Sequence, residues 1–293
     1  MIFLFNLYSF TIGKVNNFSY RFIRFFSKYT LNYLTPFIYR NLRRKKFKKV
    51  NIIVSLTTFP KRIEKTWIVV ESLLRQTKPP KKIVLTLSRL QFSSEGALPK
   101  ELLNLRSEGL EILWTDDDLR SHKKYYYVMQ KYSNDIVVTV DDDFIYEKRM
   151  LEKLLDFHEK YPKCVITHLG LKKKGVNYHD WENLFFKSVD PTDDIMPLGG
   201  SGVLYPPKSL HPDAFNKELI KQLCPLADDI WLNSMGVLNS VKVVKTDYRI
   251  YLMPLMFKEN SELYKINVID DKNNHQILAL SSKYPNLFTE CKK

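Results

Sequence analysis

Three consecutive carboxylates, Asp141, Asp142 and Asp143, follow an apolar run at residues 136–140. Adjacent like charges repel, and each disfavours the ionised form of its neighbour. A hard divalent cation such as Mg²⁺ or Mn²⁺ would relieve this repulsion, because it binds carboxylate oxygens and leaves positions for water or phosphate. Side chains alternate along a strand, so Asp141 and Asp143 should share one side. The triplet predicts a metal site at Asp141 and Asp143, with Asp142 free for another ligand.

A second interpretation of the triplet is helix capping. Acidic residues before a helix cap its N-terminus and complement its dipole, and a helix is predicted from Glu147. Capping accounts for one or two carboxylates and accounts poorly for a third.

The elements that position the triplet alternate along the first part of the chain. Strands are predicted at 50–58, 82–88, 110–115, 135–140 and 164–168, and helices at 62–76, 123–133 and 147–161. Such alternation implies a mostly parallel sheet with helices on both faces, the α/β class. Ligands of such sheets bind at the carboxyl ends of the strands, where the triplet lies.

The pattern changes after residue 168. Residues 169–210 hold no long periodic segment, and helices follow around 212–222 and 225–239, then a strand at 240–247 and a helix from Asn273 to Ser282. We therefore predict a leader, 1–49, and one domain, 50–293. Its nucleotide-binding half is 50–146, and its acceptor and catalytic half is 147–293.

The formal net charge of +14 is concentrated in the leader, because residues 1–50 contain eleven Lys or Arg and no Asp or Glu. The nearly balanced remainder argues against a nucleic-acid partner. Residues 1–13 are apolar but too short to span a bilayer, and they lack the features of a signal peptide. The basic, aromatic residues that follow predict contact with an anionic membrane surface. A floppy basic tail and a helix docked on the main domain are the alternatives.

The compartment is predicted from the cysteines and the leader together. Cys164, Cys224 and Cys291 are odd in number and far apart, which favours a reducing compartment. We expect a cytoplasmic protein, peripheral on the cytoplasmic face of the inner membrane.

Five segments in a fixed order carry a resemblance to a known family. They are VSLTTFPKRI (54–63), LLRQTKPPKKIVLTLS (73–88), SHKKYYYVMQKYSNDIVVTVDDDFIY (121–146), GGSGVLYPP (199–207) and ADDIWLN (227–233). In these segments the chain resembles bacterial glycosyltransferases of the GT-A fold, similar to family-2-like enzymes of surface polysaccharides. The resemblance covers about residues 50–285. It implies transfer of a sugar, with inversion, from a nucleoside-diphosphate donor, UDP by preference, to a hydroxyl of a surface glycan or lipid-linked acceptor.

The resemblance implies donor-binding roles for residues in the first half. These residues are Thr57, Thr58 and Phe59 around the nucleoside, Arg62 near a ribose or phosphate, Lys123 or Lys124 at the pyrophosphate, and Asp142. The alternatives are a helix cap for either threonine, a solvated charge for Arg62 and a basic surface turn for the lysines.

The resemblance also implies a metal and a catalytic base. Asp141 and Asp143 would hold Mn²⁺ or Mg²⁺, which neutralises the charge of the departing diphosphate. Some GT-A enzymes add a late histidine, here His275, although a solvated histidine is the alternative. The base would be Asp229, with Asp228 as the fallback or as a helix cap.

The acceptor side is assigned from the remaining motifs. Gly199, Gly200 and Ser201 would form a loop beside the donor sugar and the acceptor, or a plain turn before a strand. Trp231 would stack on a sugar or fill the core. A sugar-nucleotide nucleotidyltransferase fits less well, because LTTFPKRI lacks the glycines of a phosphate loop. A non-catalytic GT-A-like protein would not be expected to keep both acidic clusters.

Overall fold

The computed structural model describes residues 2–11, 17–184, 187–257, 271–285 and 287–288. Its α-helices are α1 (Ile2–Phe10), α2 (Phe18–Asn41), α3 (Ile63–Leu74), α4 (Lys100–Asn104), α5 (Lys123–Lys131), α6 (Met150–Lys160), α7 (Lys217–Leu223), α8 (Asp228–Leu238) and α9 (Lys272–Lys283). Its strands are β1 (Val50–Thr57), β2 (Pro80–Ser88), β3 (Leu110–Thr115), β4 (Ile136–Thr139), β5 (Phe144–Ile145), β6 (Val165–Thr167), β7 (Gly170–Lys172), β8 (Glu182–Asn183), β9 (Val189–Thr192), β10 (Ile195–Pro197), β11 (Val203–Tyr205), β12 (Val243–Lys245) and β13 (Met253–Pro254).

The central sheet has eight strands in the order β3-β2-β1-β4-β11-β6-β12-β9. The first four are mutually parallel, as predicted. β11 runs antiparallel to both β4 and β6, whereas β12 is parallel to β6 and antiparallel to β9. β11 thus joins the two predicted halves into one sheet.

The buried strands explain why the apolar runs are continuous. The five residues from Ile52 to Leu56 in β1 are all buried, and helices cover the sheet on its faces. In α3, ten of the twelve residues are buried, so this helix lies inside the protein and not at its surface.

One helix boundary decides between the two interpretations of the triplet. α6 begins at Met150 with Arg149 as its N-cap, and β5 lies between the triplet and that helix. Asp141, Asp142 and Asp143 therefore do not cap α6.

The leader is folded against the domain. The side chains of Ser27, Leu31, Thr35 and Tyr39, one helical turn apart, form the buried face of α2. Arg44 extends the contact through an ion pair with Glu71 of α3 at 3.2 Å. For α2 the docked-helix interpretation is confirmed and the floppy tail is wrong, while the predicted contact of the leader with a membrane stays a prediction.

Two further observations concern the cysteines and the length of the helices. Cys164 and Cys224 are unbridged, while Cys291 lies outside the described residues. Among the helices that the structure describes, none combines the length and apolarity of a bilayer-spanning segment.

Candidate active site

Residues from both halves of the chain meet at the carboxyl end of β4. The triplet follows β4, and the end of β1 lies beside it because the two strands pair in parallel. Lys124 of α5, the turn Gly199–Ser201 and the first residues of α8 complete the cluster. Sequence segments some 17 to 171 residues apart thus converge, as the strand-end rule predicts.

Residues that follow β1 form hydrogen bonds with the triplet. The Thr58 hydroxyl donates to Asp142 Oδ2 at 2.5 Å, and Arg62 Nη1 donates to Asp142 Oδ1 at 2.5 Å. Asp142 and Thr58 are both buried. Both carboxylate oxygens of Asp142 are therefore used within the protein. The prediction that Asp142 and Thr58 contact the donor is corrected: they tie β4 to β1.

The alternative prediction that Thr57 or Thr58 caps a helix is also corrected. The Thr57 hydroxyl donates to the Thr86 carbonyl of β2 at 2.8 Å. The N-cap of α3 is Arg62, and no side chain caps that helix. Neither Thr57 nor Thr58 is a helix cap. Thr57 is half-buried at the strand end, so its predicted place beside a nucleoside stays a prediction.

Arg62 is the countercharge of the triplet. Besides Asp142, its Nη1 lies 3.0 Å from Asp143 Oδ2. The guanidinium carbon lies 5.3 Å from the ring centres of both Phe59 and Phe257, within cation–π range. The alternative of a solvated charge is wrong, because Arg62 is paired and its side chain is 11% exposed. The predicted contact of Arg62 with a ribose or phosphate stays a prediction.

Asp143 keeps a free buried acceptor. Its Oδ1 is inaccessible and has no hydrogen-bond partner among the described residues. Burial raises the pKa of Asp143 to about 7, the charge of Asp141 adds to the shift, and Arg62 opposes it. An unpartnered buried oxygen beside a second carboxylate suits a cation that substrate phosphates help to bind. The residues present therefore fit the predicted divalent metal.

His275 gains no such support. It is exposed on α9. In the described part of the chain, no three His, Cys, Asp or Glu side chains form a metal cage. Its role as a ligand stays a prediction.

Lys124 connects the two acidic clusters. Its side chain is 5% exposed, and Nζ lies 2.9 Å from Asp141 Oδ1, 2.6 Å from Asp228 Oδ2 and 3.9 Å from Asp229 Oδ1. Burial by itself lowers the pKa of this ammonium, but the three carboxylates outweigh burial and hold the pKa well above its usual value. The charge of Lys124 is thus balanced within the protein, and its predicted contact with a pyrophosphate stays a prediction.

Lys123 points elsewhere. Its Nζ donates to Asp118 Oδ1 at 2.5 Å and to Gln91 Oε1 at 3.0 Å, beyond the ends of β3 and β2. Lys123 and Lys124 are both almost fully buried, so the alternative of a basic surface turn is wrong. A direct contact of Lys123 with phosphate is not supported by these pairings.

The two acids of α8 differ in surroundings. Asp228 is 10% exposed in its side chain, and the nearby Lys124 and His122 overcome the effect of burial and lower its pKa. Asp229 is 29% exposed, and its Oδ2 accepts a hydrogen bond from Gly199 N at 2.9 Å. Burial raises the pKa of Asp229 to about 7, opposed by Lys124 and assisted by Asp228. Neither acid caps α8, whose N-cap Ala227 has no side-chain hydrogen bond.

The glycine loop is shaped by close approach. A Cβ at Gly199 would lie 2.6 Å from Asp229 Oδ1 and 2.8 Å from Lys124 Nζ. A Cβ at Gly200 would lie 3.3 Å from Asp141 Oδ2. A side chain at either position would displace these acids or Lys124, so glycine lets the loop pass between the two acidic clusters without moving them. The loop does line the cluster, so the plain-turn interpretation is insufficient.

Two predicted sugar contacts are wrong. Trp231 is fully buried, and its indole Nε1 donates to the Ala214 carbonyl at 3.4 Å, so it fills the core. Ser201 is also fully buried: its hydroxyl donates to the Leu198 carbonyl at 2.9 Å and accepts from Leu169 N. Neither side chain reaches a ligand.

Sequence reasoning missed Tyr146, which holds the loop against the triplet. Its buried hydroxyl accepts from Asp141 N at 2.9 Å and donates to the Gly200 carbonyl at 3.2 Å. A polar aromatic residue directly after a strand-end acidic motif was the available signal. A second acidic triplet, Asp116–Asp118, ends β3 in the same way and was also missed.

Comparison with known proteins identifies the family from the sequence and the fold from the structure. The sequence profile described as "Glycosyl transferase family 2" matches residues 57–210, more than half of the chain. No curated protein matched the sequence. Among solved structures, S. aureus TarS 1-349 in complex with UDP-GlcNAc aligns with a TM-score of 0.55 and 14% identity, over 82% of this chain and 68% of that chain. S. aureus TarS 1-349 in complex with UDP aligns with a TM-score of 0.49 and 15% identity, over 69% of this chain and 60% of that chain.

The first structural match shows the fold, and the profile shows the family. The predicted GT-A arrangement of a mainly parallel sheet flanked by helices is confirmed. The chain belongs to glycosyl transferase family 2, and the protein is a glycosyltransferase of the GT-A fold.

Proposed function

We propose that this glycosyltransferase moves a sugar from a nucleoside-diphosphate donor to an acceptor hydroxyl, with inversion at the anomeric carbon. The observation that carries the proposal is the pair of acidic clusters on one buried cation, Lys124. The first cluster, Asp141–Asp143, suits the diphosphate end of a donor. The second, Asp228 and Asp229, can supply the base that accepts a proton. A single displacement needs both, on opposite sides of the reacting carbon.

Asp229 is the proposed base. It takes the proton of the acceptor hydroxyl as that oxygen attacks the anomeric carbon, while the bond to the diphosphate breaks and its electron pair leaves with the diphosphate. A pKa of about 7 suits proton transfer near neutral pH. Asp228 suits the role less well, because its lowered pKa and its contact with Lys124 at 2.6 Å make it a weaker base. Asp228 holds Lys124 in place.

The donor end is assigned to Asp141 and Asp143. These carboxylates would hold Mn²⁺ or Mg²⁺, which when bound supplies a Lewis acid for the departing diphosphate. Arg62 and Lys124 orient the two carboxylates. S. aureus TarS, which shares the fold, was solved with UDP-GlcNAc, so a UDP-linked sugar is the donor to test first.

The acceptor is proposed to be a surface glycan or a lipid-linked glycan at the cytoplasmic face of the membrane. The support is the leader, which carries eleven Lys or Arg without any acid and is docked on the domain. Gly199 also supports the proposed base, because its backbone N–H donates to Asp229 Oδ2 at 2.9 Å.

The proposal is tested by incubating the full chain with a panel of nucleotide sugars and Mn²⁺ and measuring the released nucleotide. We expect nucleoside diphosphate from at least one donor, and less of it when a chelator is added. Release of pyrophosphate would point to nucleotidyl transfer. Absence of release from every donor, with lipid-linked and glycan acceptors supplied, would refute the proposal.

A further inference from the structure

The exposed side of α2 is a continuous aromatic surface. Six aromatic residues three or four positions apart form this outer face: Phe18, Phe22, Phe25, Tyr29, Tyr33 and Phe37. Phe18 and Tyr33 are 81% and 82% exposed. At a rise of 1.5 Å per residue, the face is about 28 Å long. Exposed apolar surfaces of this extent mark interaction sites.

The outer face is presented by a helix that is held firmly. The opposite side of α2 is buried, and the Asn32 amide makes two hydrogen bonds to segment 253–257. The aromatic rings are therefore exposed although the helix itself is fully docked. Folding of α2 on the domain leaves this face without a cover in the described chain.

The leader itself contributes charge of one sign near the outer face. Arg21 flanks it on the helix, and Lys45, Lys46 and Lys48 follow the helix as exposed cations. The leader contains no acid that would neutralise them. Arg44 of the same run pairs with Glu71 and Glu108, which fixes the run to the domain. Aromatic rings beside lysines and arginines suit the headgroup region of an anionic bilayer.

We propose that the outer face of α2 binds the surface of an anionic phospholipid bilayer, with the helix parallel to the membrane plane. The rings enter the interfacial region and the lysines bind lipid phosphates. A peptide partner would need to supply many acids and an apolar groove together, whereas a bilayer offers both along the whole helix.

This orientation brings the bilayer surface to the candidate active site. Asn32 Nδ2 donates to the Pro254 carbonyl at 3.0 Å, and Asn32 Oδ1 accepts from Met256 N at 2.8 Å. Between them, Leu255 N donates to Asp143 O at 2.7 Å. In the described part of the chain, this segment therefore links α2 to the triplet through direct hydrogen bonds. Resting on the proposed function, the inference narrows the acceptor to a lipid-linked one displayed at the membrane surface.

The test is sedimentation of the full chain with vesicles, which needs no activity. Wild type should bind vesicles of phosphatidylglycerol and phosphatidylcholine, and bind phosphatidylcholine alone much more weakly. The triple variant Phe18→Gln/Phe22→Gln/Tyr33→Gln should lose at least about tenfold in affinity. Lys45→Gln/Lys46→Gln/Lys48→Gln should lose a similar factor and with it most of the salt dependence.

The control is Leu278→Ser, which removes an exposed apolar side chain from α9 (52% exposed) and should bind vesicles as wild type does. Circular dichroism checks that each variant is folded. Unchanged vesicle binding by both folded triple variants would overturn the proposal, as would failure of wild type to bind anionic vesicles. A wild-type dimer that becomes monomeric in the aromatic variant, without vesicle binding, would assign the face to self-association instead. Vesicle binding without transferase activity would leave this inference standing while the proposed function failed.

Discussion

Replacing Lys124 by Gln tests how the acidic clusters are coupled. The change removes the cation that lies 2.9 Å from Asp141, 2.6 Å from Asp228 and 3.9 Å from Asp229. Asp229 must be deprotonated to act as a base. Loss of a neighbouring cation disfavours its ionised form, so its pKa rises and the rate at neutral pH falls.

The size of the effect follows from the Asp229–Lys124 distance. Two unit charges 3.9 Å apart interact by about 4 kcal/mol at an effective dielectric constant of about 20. Asp229 is 29% exposed, and solvent screening reduces this value. If about a third remains, about 1.4 kcal/mol, the acidic limb of the pH–rate profile moves up by about one pH unit from its position near pH 7.

The assay is the initial rate of nucleoside diphosphate release between pH 5.5 and 9.5. At pH 7 we expect Lys124→Gln to lose about fivefold in rate, because the ionised fraction of Asp229 falls from about a half to about a tenth, and to recover this loss at high pH. Lys123→Gln is the matched control, because Lys123 is equally buried but pairs with Asp118 and Gln91. Its acidic limb should stay where it is in wild type. An unmoved limb in folded Lys124→Gln would refute the coupling.

The other predictions concern the metal and the glycine loop. Asp143→Asn should abolish the rise in melting temperature caused by Mn²⁺ in differential scanning fluorimetry, because it removes the negative charge of the carboxylate whose buried Oδ1 has no partner in the described chain. Asp116→Asn, exposed at the end of β3, should keep that rise, and an equal loss in both variants would contradict the assignment. Gly199→Ala should lower kcat at least about tenfold, because its Cβ would meet Asp229 at 2.6 Å. Gly96→Ala meets only Ser94 at 3.7 Å and should keep the wild-type rate; equal rates in the two alanine variants would remove the steric argument.

The sequence predicted the parallel part of the fold well. β1, β2, β3 and β4 are apolar runs bounded by turn residues, and their type and order followed from that pattern. The strand β11 was expected after the glycine turn, but its antiparallel position between β4 and β6 was not predicted, because three residues carry no information about their pairing partners. The topology of the second half therefore depends on tertiary contacts that the local sequence does not encode.

The sequence predicted the residue types of the candidate site better than it predicted their contacts. Asp141, Asp143 and Asp229 lie in one cluster, as expected from strand ends and motif order. Lys124 and Arg62 were expected to face a ligand, yet both are neutralised by carboxylates. A motif shows that cations and acids are near in sequence, but it does not show which of them pair in space.

Burial was the second quantity that the sequence did not provide. Trp231 and Ser201 stand in the right motifs, yet both are fully covered by the core. A residue next to a catalytic group on a helix or turn faces away from it as often as toward it, and only packing decides the direction.

The central claim is that Asp229 removes the acceptor proton in a transfer that releases nucleoside diphosphate. The direct measurement is kcat for acceptor-dependent diphosphate release by wild type and by Asp229→Asn, with the melting temperature of both. We predict a loss of about 10²–10⁴-fold in kcat for the folded variant. A folded Asp229→Asn that retains the wild-type kcat would contradict the account.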